Sequence, residues 1–258
     1  MRVAVLQMSS STDSSANREQ VSGRLSALED GLDLVVLPEA TMHDFGPPDH
    51  DLAAAAEPLD GPFVSLLAEH AVRLGTTVIA GMFERADGLP FNTLVAVGPD
   101  GELAATYRKI HLYDSFGYRE SDRLTGGPIE PVVLDVADLR LGLMTCYDLR
   151  FPELGRALVD AGALALVVPS AWVAGPGKVH HWRTLVTARA IENTVGVIAA
   201  AQNGEHYCGH SAIVDAAGSM VEAAGEGDAV LRADLSAAAI SEVRGVNPSL
   251  LNRRMSMS

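Results

Sequence analysis

The stretch LRLGLMTCYDLRFPEL, residues 139–154, predicts a short buried strand that passes into a helix, with Cys146 at the junction. Pro152 falls in the first turn of the helical segment, where proline is tolerated. A turn of this kind holds a side chain above the sheet edge, beside backbone N–H groups that favour negative charge. Because a thiolate and a developing oxyanion both need that environment, Cys146 is a candidate nucleophile, with a buried structural cysteine as the alternative.

Apolar strand patterns alternate with amphipathic helix patterns along the 258 residues. The patterns predict strands at 2–8, 34–37, 76–83, 92–97, 103–107, 132–136, 139–145, 164–169, 195–201, 211–215, 219–222 and 229–234. They predict helices at 14–32, 61–75, 152–161, 179–193 and 236–243. Interleaved strands and helices favour a layered α/β domain. Because we find no repeat or linker, we expect one domain over 1–258, with a C-terminal tail (about 246–258) that is loose or docked on a partner subunit.

The composition excludes several classes of function. A formal net charge of −14 argues against nucleic acid as a partner, and it means that an anionic substrate would need a local arginine. The most apolar stretch, 157–175, contains Asp160 and Pro169, so we expect no membrane span. Two cysteines give no disulfide framework and residue 1 leads straight into a strand, so we expect a cytoplasmic protein.

Charged residues follow other predicted strands in the same way that Cys146 follows its strand. Glu39 comes after the run LVVLP, Lys109 lies just past the strand that ends in Tyr107, and Glu120 lies in the next loop. Considered singly, Glu39 could be a structural cap of the next segment, Lys109 a solvated charge at the end of a strand, and Glu120 an ordinary acidic residue of a loop. Together, a carboxylate could take the proton of the thiol, and a lysine between carboxylates could stabilise an oxyanion. The spacing leaves open whether these residues meet in space.

Three motifs carry a resemblance to a known family. The segments LPEA (37–40), YRKIHLYD (107–114) and CYDLRFPEL (146–154) resemble, in order, the motif regions of the nitrilase, or carbon–nitrogen hydrolase, superfamily. The likeness extends to 170–172, 180–193 and 209–218, and so covers nearly the whole chain. The form CYDLRFPEL is similar to the Nit branch, which includes omega-amidases and deaminated-glutathione amidases.

The resemblance implies a Glu–Lys–Cys triad and assigns a role to each member. Glu39 would be the general base and later the acid, and Cys146 would attack an amide carbonyl to form a thioester. Lys109 and the backbone N–H of Tyr147 would stabilise the oxyanion, while Glu120 would position Lys109 and the substrate. The resemblance also implies a four-layer αββα sandwich, a homodimer or higher homo-oligomer, and no cofactor.

On this basis we expect a thiol amidase that converts a small aliphatic amide to a carboxylate and ammonia, most plausibly an omega-amide of a 2-oxo acid. The same triad would serve a deaminated-glutathione amidase, an N-carbamoyl hydrolase or a nitrilase. A catalytically silent binding protein on the same fold is an alternative of another class. Gly126-Gly127 stands where relatives commonly have Pro-Gly, and Trp172 where many have Phe, which leaves the substrate open. The pocket would be shaped by the loops 42–50, 113–125 and 172–179.

Other residues have more than one interpretation. Four are candidates for substrate binding: Phe45, Tyr118, Arg150 and Trp172. Arg150 could bind a substrate carboxylate, or it could form an ion pair with Glu153 or Asp148. Arg189 and Glu192 predict an ion pair along a helix. The residues His206, Cys208 and His210 would share a face if they lay on a strand, but no fourth ligand is fixed, so we expect no metal site.

Overall fold

Two six-stranded sheets form the centre of the structure, a computed structural model that describes residues 1–255. The first sheet has the order β14 (Ala229–Asp234), β1 (Arg2–Gln7), β2 (Leu34–Val36), β3 (Thr77–Glu84), β4 (Phe91–Val97) and β5 (Leu103–Arg108). The second has the order β13 (Met220–Ala223), β12 (Ala212–Val214), β11 (Gly196–Ala201), β10 (Ala165–Ser170), β9 (Leu139–Leu143) and β8 (Val133–Val136). The central strands β1–β3 and β9–β11 are parallel, and the outer strands pair antiparallel.

Helices cover the outer face of each sheet. They are α1 (Ser14–Ser26), α2 (Leu52–Ala55), α3 (Pro62–Leu74), α4 (Pro152–Asp160), α5 (Lys178–Asn193) and α6 (Ala237–Val246). A small hairpin of β6 (Asp114–Ser115) and β7 (Tyr118–Arg119) lies outside the two sheets.

The alternation of side chains along β1 explains why the sheets stack. Val3 and Val5 point into the core that the first sheet shares with the second. Ala4 and Leu6 point the other way, into the core formed with α1 and α3. Because successive strand residues face opposite sides and both sides are apolar here, the sheet needs a cover on each face.

The second sheet repeats this arrangement with α4 and α5. Leu158 of α4 and Val186 of α5 are fully buried in the same core as the strand residues Leu141 and Val197. Each aliphatic side chain buried in this way contributes roughly 1.5–3 kcal/mol. The layer order is therefore helix, sheet, sheet, helix, and the predicted αββα sandwich is confirmed.

Some element boundaries differ from the predictions. The helix predicted over 14–32 ends at Ser26, and Leu28, placed by periodicity on its inner face, is buried from the following turn instead. A positive φ of 89° at Gly31 shows that the chain turns here toward β2. Periodicity continues past the helix because the turn still presents apolar residues to the core. The loop predicted over 110–130 contains the β6–β7 hairpin and a 3₁₀ turn.

The segment after α6 returns to the body of the domain within the described residues. Leu250 packs against the inner core, and Arg253 pairs with Asp160 at 2.7 Å. Residues 256–258, the end of the predicted tail, lie outside the described residues, and docking on a partner subunit stays a prediction. None of the helices within residues 1–255 has the length and apolarity that a membrane crossing requires.

Candidate active site

Three strands end at the same edge of the sandwich. β5 runs antiparallel to β4, which runs antiparallel to β3, so β5 has the same direction as β2 and β3. Glu39 and Lys109 therefore lie just past the C-terminal ends of β2 and β5, at one end of the first sheet. Cys146 lies just past the C-terminal end of β9, at the adjoining end of the second sheet. The residues that the sequence analysis selected share one region, at the seam between the sheets.

Lys109 lies between two carboxylates. Its Nζ is 3.0 Å from Glu39 Oε1 and 2.9 Å from Glu120 Oε2. All three side chains are at most 2% exposed, so the charges interact in a region of low dielectric constant. Burial alone would lower the pKa of Lys109, but the two carboxylates outweigh it and hold the pKa well above the ordinary lysine value. Lys109 is therefore a permanently charged cation.

The Glu39 carboxylate is fixed by three donors. Oε1 accepts from Lys109 Nζ and, at 2.7 Å, from Asn92 Nδ2. Oε2 accepts at 2.6 Å from the backbone N–H of Ala171, which follows β10 in the opposite sheet. Gly81 lies directly beneath, so that a Cβ there would stand 2.6 Å from Glu39 Cα. Glu39 is thus held from both sheets.

Glu120 is fully engaged in holding its neighbours. Besides Lys109, it accepts at 2.6 Å from the backbone N–H of Tyr113 and at 3.1 Å from Asn92 Nδ2. It contacts Lys109 through both carboxylate oxygens. This geometry suits a residue that orients and charges the lysine.

Cys146 is the first residue of a 3₁₀ helix that spans Cys146–Arg150, and α4 begins only at Pro152. The expected helix start beside the cysteine is therefore this short 3₁₀ turn. Cys146 has a φ of 48°, a left-handed conformation that is costly for a residue with a Cβ. The thiol is only 7% exposed and faces the cavity. As the second residue of the turn, Tyr147 has an N–H without a carbonyl partner inside it.

The surroundings of Cys146 favour the protonated thiol as its resting form. Burial, above all, raises the pKa of Cys146 well above the ordinary cysteine value, and the negative charge of Glu39 raises it further. The charge of Lys109 opposes this rise without cancelling it. Of the two site carboxylates, Glu39 acts more strongly on the thiol than Glu120 does.

A cavity of about 460 Å³ opens from these residues. Its walls come from the three loops named above and from a fourth segment, His206 and Tyr207, that the sequence analysis did not include. Phe45, Tyr118, Arg150 and Trp172 all line it. Phe45 also packs edge-on against Phe83 at 5.1 Å, and Trp172 Nε1 donates to the Lys178 carbonyl at 3.0 Å, so both aromatic walls are anchored.

Arg150 faces the cavity. Its guanidinium lies 4.9 Å from the Trp172 ring centre and 6.0 Å from that of Tyr147, and Nη2 is 3.4 Å from His181 Nδ1. Within residues 1–255 it has no carboxylate partner, and its buried Nε has no hydrogen bond. The alternative of an ion pair with Glu153 or Asp148 is wrong, because the turn directs Asp148 toward β5 instead.

Several contributors were missed at the sequence level. Asn92 bridges the two carboxylates, and Lys178 lies in the cavity with Nζ 3.1 Å from Tyr113 Oη and 4.0 Å from the Phe116 ring centre. Burial and then the nearby charge of Arg150 lower the pKa of Lys178. Asn92 could have been noticed as an asparagine at the start of an antiparallel strand. Lys178 could have been noticed as a lysine directly after a Gly-Pro-Gly turn.

The histidines and cysteine at 206–210 do not form the strand face on which a metal site depended. β12 begins only at Ala212, and His210 has a φ of 60°. Among residues 1–255 there is no group of three or more His, Cys, Asp or Glu side chains that could hold a metal ion. The predicted pair of Arg189 and Glu192 is present at 2.6 Å, and Arg189 also donates to the Leu149 carbonyl behind the 3₁₀ turn.

Comparison with known proteins agrees with this architecture. The carbon-nitrogen hydrolase family model matches residues 2–245. Deaminated glutathione amidase of Escherichia coli O157:H7 is 40% identical over 232 residues, 88% of this chain and 87% of that protein. A CN-hydrolase superfamily protein of Xanthomonas campestris, solved with an arsenic adduct in its active site, is 30% identical, with a TM-score of 0.90 over 100% of this chain and 98% of the other.

Nit3 of Saccharomyces cerevisiae, a member of branch 10 of the nitrilase superfamily, is 28% identical, with a TM-score of 0.86 over 99% of this chain and 97% of the other. The resemblance to the Nit branch is confirmed. The chain is a hydrolase that acts on carbon–nitrogen bonds other than peptide bonds. It belongs to the carbon-nitrogen hydrolase family.

Proposed function

We propose that this amidase hydrolyses a small aliphatic amide to a carboxylate and ammonia through a thioester on Cys146. The observation that carries the proposal is the buried contact of Lys109 with Glu39 on the wall of a cavity that Cys146 also lines. A base, a cation and a nucleophile thus share one wall of a site whose volume is within the range of small-molecule pockets.

In the first half of the reaction, Glu39 takes the thiol proton as the Cys146 sulfur attacks the amide carbonyl carbon. The carbonyl π electrons move to oxygen, and this oxyanion faces Lys109 Nζ and the Tyr147 N–H. Because the pKa of Cys146 is raised, proton transfer has to accompany attack, which gives Glu39 its role. Glu39 then gives the proton to the leaving nitrogen, ammonia departs, and a thioester remains.

In the second half, Glu39 takes a proton from water as the water oxygen attacks the thioester carbonyl. The second tetrahedral intermediate uses the same oxyanion donors. Its collapse breaks the carbon–sulfur bond, the sulfur regains a proton from Glu39, and the product leaves as the carboxylic acid, which ionises to the carboxylate by losing its proton to solvent. Glu120 takes no proton in this scheme, and its part is to hold Lys109, Asn92 and the Tyr113 backbone, from all of which it accepts hydrogen bonds.

Arg150 supports an acidic substrate, an omega-amide of a 2-oxo acid being the leading candidate. Its guanidinium faces the cavity without a carboxylate partner among residues 1–255, although the chain carries a net charge of −14 and offers many acids. A carboxylate on the substrate would supply the bidentate partner that arginine lacks here.

Lys178 favours a second candidate, an amide with a further carboxylate such as deaminated glutathione, the substrate named for the Escherichia coli relative. A Lys178→Met variant separates the two, measured with one substrate of each kind. We expect a loss in kcat/KM of about tenfold that is confined to the doubly charged substrate, equivalent to about 1.4 kcal/mol. A nitrile or an N-carbamoyl compound would use the same triad and belongs in the same panel.

The decisive experiment combines turnover with detection of the intermediate. Release of ammonia from a primary amide, or of the peptide amine from a secondary amide such as deaminated glutathione, should disappear in Cys146→Ala, and mass spectrometry of the wild type should find the acyl group on Cys146. Cys208→Ala is the matched control, because Cys208 is also buried but does not line the cavity. Amide hydrolysis that survives Cys146→Ala would end this mechanism, and an inert wild type with no adduct would favour a catalytically silent binding protein.

We also infer a homodimer in the cytoplasm, without nucleic acid or membrane as partners. The assembly rests on the resemblance, and the location on the free cysteines Cys146 and Cys208. Sedimentation of the purified chain tests the first, and fractionation of cells the second.

A further inference from the structure

Asp148 is a fully buried carboxylate two residues after Cys146, and it receives four hydrogen bonds. Oδ2 accepts from Tyr107 Oη at 2.6 Å and from the backbone N–H of Thr145 at 2.9 Å. Oδ1 accepts from the backbone N–H of His111 at 3.1 Å and from His111 Nδ1 at 2.7 Å. These donors satisfy both oxygens of a carboxylate that has no access to water.

The donors come from the two segments that carry the reacting groups. Thr145 immediately precedes Cys146, and its backbone N–H donates to the Asp148 carboxylate while its carbonyl accepts from the Asp148 N–H at the start of the 3₁₀ turn. Tyr107 and His111 stand on either side of Lys109 in the chain. Asp148 therefore ties the cysteine segment directly to the lysine segment.

Pairing between the described strands does not fix the distance between the lysine and cysteine segments. Lys109 follows β5 in the first sheet and Cys146 follows β9 in the second, so hydrogen-bond register within each sheet leaves their separation free. The left-handed backbone of Cys146 is also unfavourable by itself and persists only where its surroundings hold it. The Asp148 cluster supplies a restraint at this point.

The surroundings keep the cluster intact through neutral pH. Burial and then the charge of Asp148 raise the pKa of Tyr107 well above its ordinary value, so its hydroxyl stays a donor. His111 stacks on Phe151 at 3.8 Å, which fixes the ring plane, and its Nδ1 donates whether the ring is neutral or charged. His111 is the only ionisable cation paired with Asp148 among the described residues.

We propose that Asp148 is a positioning residue that sets the separation and angle between the Cys146 sulfur and Lys109 Nζ. The inference rests on the proposed function, because it assigns both groups to the same tetrahedral intermediate. Its expected signature is a loss of turnover with substrate affinity retained, since Asp148 does not line the cavity.

The test compares Asp148→Asn and Tyr107→Phe with the wild type in the full chain. Asparagine puts an N–H₂ group in place of one Asp148 oxygen, which removes the acceptor of either the Thr145 or the His111 backbone N–H, whereas Tyr107→Phe removes one donor of four. Since a displacement of about 1 Å can cost a factor of about 10², we expect kcat to fall about 100-fold in the first and about tenfold in the second. KM should stay within about threefold in both, and iodoacetamide should modify Cys146 more slowly in the same order.

Leu67→Ala is a control for loss of stability alone. Leu67 of α3 is buried in the core that the first sheet forms with α1 and α3, and it does not line the cavity. The substitution should lower the melting temperature and leave kcat unchanged below that temperature. The inference is overturned if Asp148→Asn keeps kcat within threefold, if kcat and KM change together, or if Leu67→Ala loses turnover equally. If Asp148→Asn does not fold, Tyr107→Phe decides by the same criteria.

Failure of this inference is distinguishable from failure of the proposed function. An active wild type that is silenced by Cys146→Ala, together with an active Asp148→Asn, overturns the positioning role alone. Hydrolysis that survives Cys146→Ala overturns both.

Discussion

Gly81 is the point where β3 passes closest to the candidate general base. Its backbone N–H donates to the Pro38 carbonyl at 3.0 Å, and its carbonyl accepts from the Met42 N–H at 3.1 Å, so the Glu39 segment lies flat against it. A Cβ at this position would stand 2.6 Å from Glu39 Cα and 2.7 Å from the Ala40 nitrogen. We therefore predict that Gly81→Ala impairs catalysis by displacing Glu39.

The size of the effect follows from the distances. Ordinary van der Waals contact begins near 3.4 Å, so the two backbones must separate by about 0.8 Å. A displacement of about 1 Å in a reacting group can cost a factor of about 10² in rate, and we expect kcat to fall by about 30- to 100-fold. Overpacking of this kind costs about 1–3 kcal/mol of stability, or about 2–4 °C in melting temperature for each kcal/mol.

The assay is steady-state ammonia release from a substrate of the wild type, together with thermal unfolding of each variant. Gly88→Ala is the matched control, because it makes the same substitution at a position with nothing within 4 Å. We expect the control to keep wild-type kcat and melting temperature. Because the displaced group is the base, alkylation of the Cys146 thiol should also slow in Gly81→Ala.

A folded Gly81→Ala variant with kcat within about threefold of wild type would refute the reasoning. It would mean either that the backbones separate without moving the Glu39 carboxylate or that Glu39 does not need its present position. An equal loss in Gly88→Ala would show that the effect is not local.

Three further predictions concern charge and capping. The difference in absorbance near 240 nm between the wild type and Cys146→Ala should show no thiolate at pH 7, because burial and the charge of Glu39 raise the pKa of Cys146. A thiolate signal at pH 7 would contradict the protonated resting thiol. Burial, above all, and the charge of His50 hold the pKa of His43 below its ordinary value of 6.5, so the unfolded chain takes up a proton at a higher pH than the folded protein does. The free energy of unfolding in urea should therefore be at its full value above pH 6.5 and decline below it. This decline should be smaller in His43→Gln. Asp13 accepts from two N–H groups at the start of α1, and Asp13→Ala should cost about 1 kcal/mol in urea unfolding with no change in kcat, whereas an unchanged stability would show that the cap contributes nothing.

The strands and a layered α/β domain could be predicted from local patterns in the sequence, whereas the four-layer αββα order was implied by the family resemblance. Alternation along residues such as Val3 to Leu6 encodes two buried faces, and the Gly75 stop and Pro62 start of α3 are standard helix ends. The end of α1 was missed because apolar spacing continues through Leu28 after the helix has stopped.

The candidate site was predicted in part. Glu39, Lys109 and Cys146 could be selected because each stands just past an apolar strand, whereas Glu120 lies in a loop and received its role from the family resemblance. The Asn92 bridge and the place of Lys178 in the cavity depend on contacts between segments far apart in the chain, which no local pattern encodes. The metal alternative at 206–210 failed because it assumed strand geometry over residues that form an irregular loop.

The bond from the Ala171 backbone to Glu39 limits what residue identity can reveal about this site. Every amino acid except proline carries a backbone N–H, so nineteen residue types could donate this hydrogen bond from position 171. The identity of residue 171 therefore does not reveal the bond. The same holds for the Tyr147 N–H. A search for proteins that share this chemistry by side chains alone would therefore overlook two of its polar groups, while one proline at 171 would remove a donor from Glu39 and leave the motifs at 37–40, 107–114 and 146–154 intact.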